Sequence, residues 1–244
     1  MTEIINPYNP QKFKQEFSQT EIFKAIERDH DLAYWEKYFN WPGVRMTTRE
    51  IVSQRKIAIM VSFYFVNLIA ENNDKPIYDI GCGGNYFKKY YPNIIGIDQP
   101  GNPNADRVGV FNEDYAKLNV NSFDNAIAIC SLHFVSFPKI NEQFRLFVDT
   151  IKPGGRGLFT INAIHPYHMS TGEEKQMYNV NSTADTINYI DKTLDFSGLT
   201  ILSYDSPNIN DPNGKIFFGD NQNGIHNEGM TGNIRIAFQK DKDI

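Results

Sequence analysis

A strand, a glycine turn and a second strand that ends in an acid follow one another closely, and this arrangement constrains the fold more than any other feature of the chain. The apolar run from Pro76 to Ile80 predicts the first strand, and Gly81 and Gly83 occupy the turn after it. Because glycine has no side chain, the backbone there can approach a ligand, and we expect its N–H groups and the N-terminus of a following helix to face that ligand. A second apolar run, Ile94 to Ile97, leads to Asp98, whose carboxylate can accept hydrogen bonds from both hydroxyls of a ribose. The pattern therefore predicts a nucleoside site at the edge of an α/β sheet.

The residues around this turn indicate which nucleoside binds there. A dinucleotide fingerprint places a third glycine three residues after the second, and this chain has Tyr86 at that position. NAD and FAD are therefore disfavoured. The run Asp79-Ile80-Gly81-Cys82-Gly83, followed by Asp98 at the end of the next strand, resembles the first two motifs of class I S-adenosylmethionine (SAM) dependent methyltransferases.

Two later segments resemble the same family. Ser122-Phe123-Asp124 leads into the run from Asn125 to Cys130, which is similar to the family's fourth strand. Ile151-Lys152-Pro153-Gly154-Gly155, followed by Gly157 to Ile161, is similar to its turn into the fifth strand. The resemblance implies a Rossmann-like α/β fold, in which a seven-stranded, mostly parallel sheet ends in an antiparallel hairpin. It also implies an enzyme with SAM as its cofactor.

The resemblance further implies a set of cofactor-binding residues. Asp79 either contacts the methionine ammonium or orders the glycine turn, and Asp98 holds the ribose. Asn112 or Asp114 lies where the family places an acid or amide near the adenine, unless that segment is a solvated turn. The full set is Asp79, Gly81, Gly83, Asp98, Asn112, Asp114, Cys130 and Ser131.

One histidine is the candidate for the chemistry of the methyl acceptor. His133 lies just after the fourth strand, and the carboxyl edge of an open α/β sheet faces the ligand crevice. Because imidazole titrates near neutral pH, His133 can act as a general base or as a hydrogen-bond partner of the substrate. The alternative is a histidine that packs between strand and helix or forms the pocket wall.

Aromatic residues and two further histidines are candidates for contacts with the substrate. Tyr34, Trp35 and Tyr64 belong to aromatic clusters that either cover an apolar or ring-bearing substrate or pack helices on the sheet. His165 and His168 follow the fifth strand on the ligand side. No Cys, Asp or Glu stands near enough in sequence to complete a metal set with them, so we expect a substrate-lining loop and no metal.

The amino-terminal part of the chain predicts a helical appendage. Apolar and aromatic residues recur at helical spacing from 11 to 40, and a capping box at Thr47 opens a second helix. We therefore expect an N-terminal helical lid at residues 1–46 and a methyltransferase domain at residues 47–244. The Pro- and Gly-containing segment 99–104 excludes the helix that the family usually has between its second and third strands. The later elements predicted are strands at 107–111, 200–204 and 234–239 and helices at 139–151 and 183–197.

The net charge and the segment after the fourth strand indicate which class of methyl acceptor to expect. The net charge is −5, so the chain as a whole offers no positive field for a polyanion. The segment after the fourth strand also lacks the Asn/Asp-Pro-Pro-Tyr/Phe element of base N-methyltransferases and the Pro-Cys nucleophile of cytosine C5 enzymes. We therefore expect a small-molecule acceptor rather than nucleic acid. A nucleic-acid or protein methyltransferase and a SAM-binding protein that acts by interaction remain open as hypotheses.

The two cysteines and the hydropathy of the chain indicate the cellular compartment to expect. Cys82 and Cys130 form no spaced disulfide framework, which favours a reducing, cytoplasmic environment. The longest apolar stretch, 57–70, is too short to span a bilayer, so we expect no membrane contact. The sequence leaves the oligomeric state and the identity of the acceptor open.

Overall fold

The computed structural model describes residues 17–29, 61–71, 74–206 and 233–242 of the chain. The strands in this part are β1 (Ile77–Ile80), β2 (Ile94–Asp98), β3 (Arg107–Val108), β4 (Phe123–Ile129), β5 (Ile151–Asn162), β6 (Leu199–Asp205) and β7 (Asn233–Lys240). They form one seven-stranded sheet in the order β3-β2-β1-β4-β5-β7-β6. The first five strands are parallel, and β7 is antiparallel to both of its neighbours. The predicted fold class is therefore confirmed.

Helices flank the sheet. Those described are α1 (Glu21–Asp29), α2 (61–70), α3 (Glu113–Leu118), α4 (Ile140–Thr150), α5 (Ile164–Met169), α6 (Gly172–Met177) and α7 (Thr183–Thr193). The helices predicted at 139–151 and 183–197 are present as α4 and α7, but α7 ends at Thr193 because Leu194 is extended. Segment 99–104 contains no helix, as expected. Both predicted amino-terminal helices are seen only in part, because their remaining residues lie outside the described ones. None of the described helices has the length and apolar character needed to cross a membrane.

Both faces of the central strands are buried, which explains why these strands are nearly continuous apolar runs in the sequence. On one face, Phe144 of α4 packs against Phe159 of β5, with 5.4 Å between ring centroids. On the other face, Ile26 of α1 and Phe65 of α2 are fully buried in a second apolar cluster. The described part of the predicted lid thus contributes to the core under the sheet.

The segment after the glycine turn differs from the prediction. We expected a helix there, but the structure has only a 3₁₀ turn at Tyr86–Lys89. Asn85 adopts a left-handed conformation with a φ of 52°, which is incompatible with the first turn of an α-helix. Pro92 restricts the other end, because the residue before a proline avoids the helical conformation. Between these two points the chain forms the 3₁₀ turn and no α-helix.

Two strands have different limits from those predicted. The third strand ends at Val108 rather than at residue 111; the Gly109 N–H group still donates to the carbonyl oxygen of Asp98 at 2.8 Å, and Asn112 then begins α3. The fifth strand begins at Ile151, before the predicted start at residue 157. The glycine pair stays inside this strand, since Gly154 with a φ of 80° accommodates a shift in the pairing with β4.

Candidate active site

A cleft of about 400 Å³ opens at the carboxyl ends of β1, β2 and β4, beside the loop that follows β3. This is the edge at which open α/β sheets bind ligands. Among the predicted cofactor residues, Gly81, Asp98, Cys130 and Ser131 line the cleft. The structure therefore brings four residues from three different parts of the sequence into one cavity.

The glycine turn requires residues without a side chain. Gly81 has a φ of 73° and Gly83 a φ of 52°, both in the left-handed region that favours glycine. A Cβ atom added to Gly81 would also lie 2.4 Å from the Cβ atom of Ser131. Gly81 is thus fixed by close packing against the loop after β4, whereas a Cβ atom on Gly83 would meet nothing within 4 Å.

The backbone donors of this turn do not face the cleft as expected. The N–H groups of Gly81 and Cys82 both donate to the carbonyl oxygen of Ile97, at 2.8 and 3.1 Å. The N–H group of Gly83 donates to Oδ2 of Asp98 at 2.8 Å. The prediction that these N–H groups point at the ligand was wrong, because the turn folds back onto the end of β2 and uses them there.

Asp98 lies at the predicted place and is already largely hydrogen-bonded. Its Oδ2 accepts hydrogen bonds from the Gly83 N–H and from Nδ2 of Asn102, both at 2.8 Å, and its Oδ1 accepts one from the Gln99 N–H at 2.7 Å. An ionised carboxylate offers about four lone-pair positions, so one remains. Asp98 can therefore accept one further hydrogen bond from a ribose, rather than the two expected from the sequence.

Asp79 lies under the turn and is 2% exposed. Its Oδ2 atom has no hydrogen-bond partner. Burial, with a contribution from the negative charge of Asp98, raises the pKa of Asp79 to about 7. The carboxyl group is therefore balanced between its neutral and ionised forms near neutral pH, and a cation placed beside it would ionise it.

The loop after β4 closes the other side of the cleft. Cys130 has a positive φ of 51°, and the Ser131 hydroxyl donates to the carbonyl oxygen of Ile80, which ties the loop to β1. Burial raises the pKa of the Cys130 thiol to about 11. Burial and nearby carboxylates raise that of Cys82 to about 12. Neither thiol is therefore activated as a nucleophile.

Asn112 and Asp114 lie outside the lining of the cleft. The side chain of Asn112 caps α3, with Oδ1 accepting a hydrogen bond from the Tyr115 N–H at 2.8 Å. Asp114 is exposed in the first turn of the same helix, where a carboxylate favours the positive end of the helix dipole. Their positions agree with a solvated helix start, and a contact of either residue with the adenine stays a prediction.

His133 is buried behind the cleft. It is 1% exposed, its ring stacks on that of His165 with centroids 4.9 Å apart, and its Nε2 atom has no hydrogen-bond partner. Burial, then the proximity of His165, lowers the pKa of His133 to about 3. The imidazole is therefore neutral at physiological pH and a weak base, and its Nδ1 atom accepts a hydrogen bond from the Asn162 N–H group at 3.5 Å.

The remaining candidate substrate-binding residues lie in different parts of the structure. Tyr64 is buried in the core, where its ring packs against those of Phe17 and Phe65. His165 is partly buried beside the cleft-lining Phe134, and His168 is exposed on α5. The other two candidates, at positions 34 and 35, lie outside the described residues. No three His, Cys, Asp or Glu side chains within the described part of the chain are grouped as a metal site.

Several residues of the cleft were not identified from the sequence. They are Gln99, Gly109, Val110 and Phe111, whereas Leu132 and Phe134 belong to the segment after β4 that was expected at this edge. Each follows directly or closely on the carboxyl end of β2, β3 or β4, so the rule that ligands bind at this edge could have found them. Asn102 was also missed, because its bond to Asp98 depends on how the loop after β2 folds back.

The sheet and its ligand edge define a Rossmann-like α/β protein with an antiparallel final hairpin. No family model and no curated protein matches the sequence. The chain is similar to several solved structures. A chain of the Haloferax volcanii complex between the Trm112 methyltransferase activator and a methyltransferase is 14% identical, with a TM-score of 0.47 over 80% of this chain and 93% of that one.

Two bacterial structures are similar at the same level. A SAM-dependent methyltransferase from Mesorhizobium loti is 15% identical, with a TM-score of 0.43 over 75% of this chain and 97% of that one. The N-methyltransferase NodS from Bradyrhizobium japonicum is 12% identical, with a TM-score of 0.44 over 77% and 98%. At identities of 12 to 15% these likenesses concern the fold and carry neither an activity nor a substrate to this chain.

Proposed function

We propose that the protein binds SAM in the cleft at the ends of β1, β2 and β4 and transfers its methyl group to a small molecule. The observation that carries this proposal is Asp79, a buried carboxyl group with an unpartnered oxygen just before the cleft-lining turn. Folded proteins leave few buried polar groups without a partner, and a raised pKa in a buried acid is typical of functional sites. The ammonium group of the methionine part of SAM would supply the missing partner.

The other residues of the cleft fit the remaining parts of the cofactor. The free lone pair of Asp98 can accept a hydrogen bond from a ribose hydroxyl. Val110 and Phe111, beside it in the cleft, offer apolar surface for an adenine ring. The cavity of about 400 Å³ falls in the range of roughly 300–1,000 Å³ that is usual for small-molecule sites.

When bound, SAM supplies a methyl group on a positively charged sulfur: a lone pair of the acceptor bonds the methyl carbon while the carbon–sulfur bond breaks and its electron pair stays on sulfur. Such a displacement needs chiefly close, aligned reactants and exclusion of water. Leu132 and Phe134 can exclude water on the acceptor side, since both line the cleft next to the buried His133. The unpartnered Nε2 atom of His133 can form a hydrogen bond with the acceptor.

A small-molecule acceptor agrees with the charge of the protein. None of the described lining residues of the cleft is Lys or Arg, and the net charge is −5. A nucleic-acid acceptor would require a basic surface beside the cleft. A protein acceptor, or a protein that binds SAM without transferring its methyl group, would also be compatible with this charge. The free thiols of Cys82 and Cys130 support a cytoplasmic location for this activity.

Calorimetry with SAM, S-adenosylhomocysteine and NAD tests the cofactor. We expect micromolar affinity for the first two and no binding of NAD. Tight binding of NAD with none of SAM would overturn the proposal. Incubation of a metabolite extract with methyl-labelled SAM then tests the activity, because a small-molecule methyltransferase would label a low-mass product and a SAM-binding protein without activity would label none.

A further inference from the structure

The loop between β2 and β3, residues 99–106, is hydrogen-bonded to the segment that follows the glycine turn. Nδ2 of Asn85 donates to the carbonyl oxygen of Asn104 at 2.9 Å and to Oδ2 of Asp106 at 3.2 Å. The same Oδ2 atom accepts a hydrogen bond from the Gly96 N–H group of β2 at 2.8 Å. The loop has no regular secondary structure, and these bonds tie it both to the turn segment and to β2.

Asn102 lies in the middle of this loop, and its side chain bonds to three different groups. Its Nδ2 atom donates to the carbonyl oxygen of Gly83 and to Oδ2 of Asp98, both at 2.8 Å. Its Oδ1 atom accepts a hydrogen bond from the Asn104 N–H group at 2.9 Å. Because a backbone N–H group can only donate, this last bond fixes the orientation of the amide, and both Nδ2 hydrogens are then used. The Asn102 side chain therefore connects the glycine turn to Asp98.

The two carboxylate oxygens of Asp98 differ in their remaining capacity to accept hydrogen bonds. Each oxygen of an ionised carboxylate has about two lone pairs. Those of Oδ2 are both used, one by the Gly83 N–H group and one by Asn102. From the described residues Oδ1 accepts one hydrogen bond, from the Gln99 N–H group at 2.7 Å, so one lone pair remains on it. A ligand in the cleft that Asp98 lines can therefore bond to Oδ1 and not to Oδ2.

A ribose presents two neighbouring hydroxyl groups, and a carboxylate that binds both of them needs two free lone pairs. Asp98 has one, because Asn102 uses the second lone pair of Oδ2. We propose that Asn102 is a positioning residue that restricts Asp98 to one of the two ribose hydroxyls and so determines which hydroxyl of the cofactor is recognised; this inference rests on the proposed binding of SAM. Loss of the hydroxyl that bonds to Oδ1 weakens binding, and loss of the other does not.

Calorimetry with S-adenosylhomocysteine and with its 2′-deoxy and 3′-deoxy ribose analogues tests the proposal on the full chain. The wild-type protein should bind one analogue about tenfold or more weakly than S-adenosylhomocysteine, the scale of a hydrogen bond to a charged group. The other analogue should bind with unchanged affinity. Equal weakening of both analogues, or no weakening of either, would overturn the inference. Failure of S-adenosylhomocysteine itself to bind would instead overturn the proposed function.

Asn102→Ala should remove the difference between the analogues. Oδ2 of Asp98 then regains a lone pair and can bond to the second hydroxyl, so both analogues should bind this variant about tenfold or more weakly than S-adenosylhomocysteine does. Asn104→Ala in the same loop is the matched control, because Asn104 bonds to Asn85 and Asn102 through its backbone, which alanine keeps. The control should show the wild-type difference. Persistence of that difference in Asn102→Ala would overturn the inference.

The comparison of three compounds on one protein separates this positioning role from a structural one. A general loss of stability in Asn102→Ala would weaken all three compounds together and leave the difference between the analogues as it is in the wild type. Thermal unfolding shows whether the variant is folded, and the wild-type comparison does not depend on the variant. Asp98→Ala should bind all three compounds with equal affinity, because the carboxylate is absent. A difference between the analogues that survives in Asp98→Ala would assign it to another residue and overturn the inference.

Discussion

At the carboxyl edge of the sheet, two regions differ in how many of their polar groups are hydrogen-bonded within the protein. At the glycine turn, the N–H groups of Gly81, Cys82 and Gly83 and most of the capacity of Asp98 are used within the protein. Near the carboxyl end of β5, Thr160, Asn233 and His133 each keep one buried side-chain atom without a partner. The first region thus leaves few polar groups free for a ligand, and the second leaves three. We call the first region the preformed cofactor side and the second the acceptor side.

The largest expected effect is on the rate of methyl transfer, and it comes from substitution of His133. If His133 removes a proton from the acceptor or positions it, His133→Ala should lower kcat by roughly 10²–10⁴-fold with little change in SAM affinity. Because burial holds the pKa of His133 at about 3, the imidazole stays unprotonated as pH falls, so this group should cause no loss of rate between pH 8 and 5. Single-turnover kinetics across this range is the measurement. More than a tenth of the activity in a folded variant would assign His133 to the pocket wall.

The next effect concerns stability and the predicted lid. Ile26→Ala should lower the free energy of unfolding by about 2–5 kcal/mol, since this side chain is fully buried under the sheet. Lys24→Ala on the exposed side of the same helix is the matched control. Denaturant unfolding measures the free energy of unfolding of both variants. An Ile26→Ala variant that unfolds like the wild type but has lost turnover would show that α1 serves the acceptor and not the core.

A smaller effect tests how the preformed side holds the ribose. Asp98→Ala should weaken SAM binding by about 1.5–3 kcal/mol, the scale of a hydrogen bond to a charged group. Part of this loss comes through the glycine turn, because Asp98 also holds the Gly83 N–H and Asn102. Asp124→Ala, at the opposite end of the sheet, should leave the affinity unchanged. Equal affinity of the folded Asp98→Ala variant in calorimetry would remove the ribose assignment.

The sequence predicts the cofactor side better than the acceptor side, for a physical reason. β2 and the position of Asp98 follow from a continuous apolar run and its end, which are local signals. The reach of Asn102 to Asp98 depends on the fold of a loop without regular structure. The polar pair at Thr160 and Asn233 depends on the register of two strands that are far apart in the sequence, so no local pattern indicates it.

The segment after the glycine turn shows the limit of motif reasoning. The motif implies a helix whose N-terminus faces the ligand, yet the chain between Asn85, in a left-handed conformation, and Pro92 forms only a 3₁₀ turn. The two acids nearest this turn are Asp98, which lines the cleft, and Asp79, which is buried with an unpartnered oxygen. Of the two, Asp79 has the carboxyl oxygen that lacks a partner, and we therefore expect it to bind the ammonium group of SAM.

The pH dependence of SAM affinity tests this claim most directly. Without ligand Asp79 keeps its proton up to about pH 7, and the ammonium binds the ionised form, so wild-type affinity should rise with pH from 5.5 to 7, by up to about tenfold per unit, and then level off. Asp79→Asn, of the same shape, should bind SAM more weakly at pH 7.5 and show no such rise. Calorimetry of both proteins over this range is the measurement. An Asp79→Asn variant that binds SAM as tightly as the wild type, or keeps its pH dependence, would contradict the account.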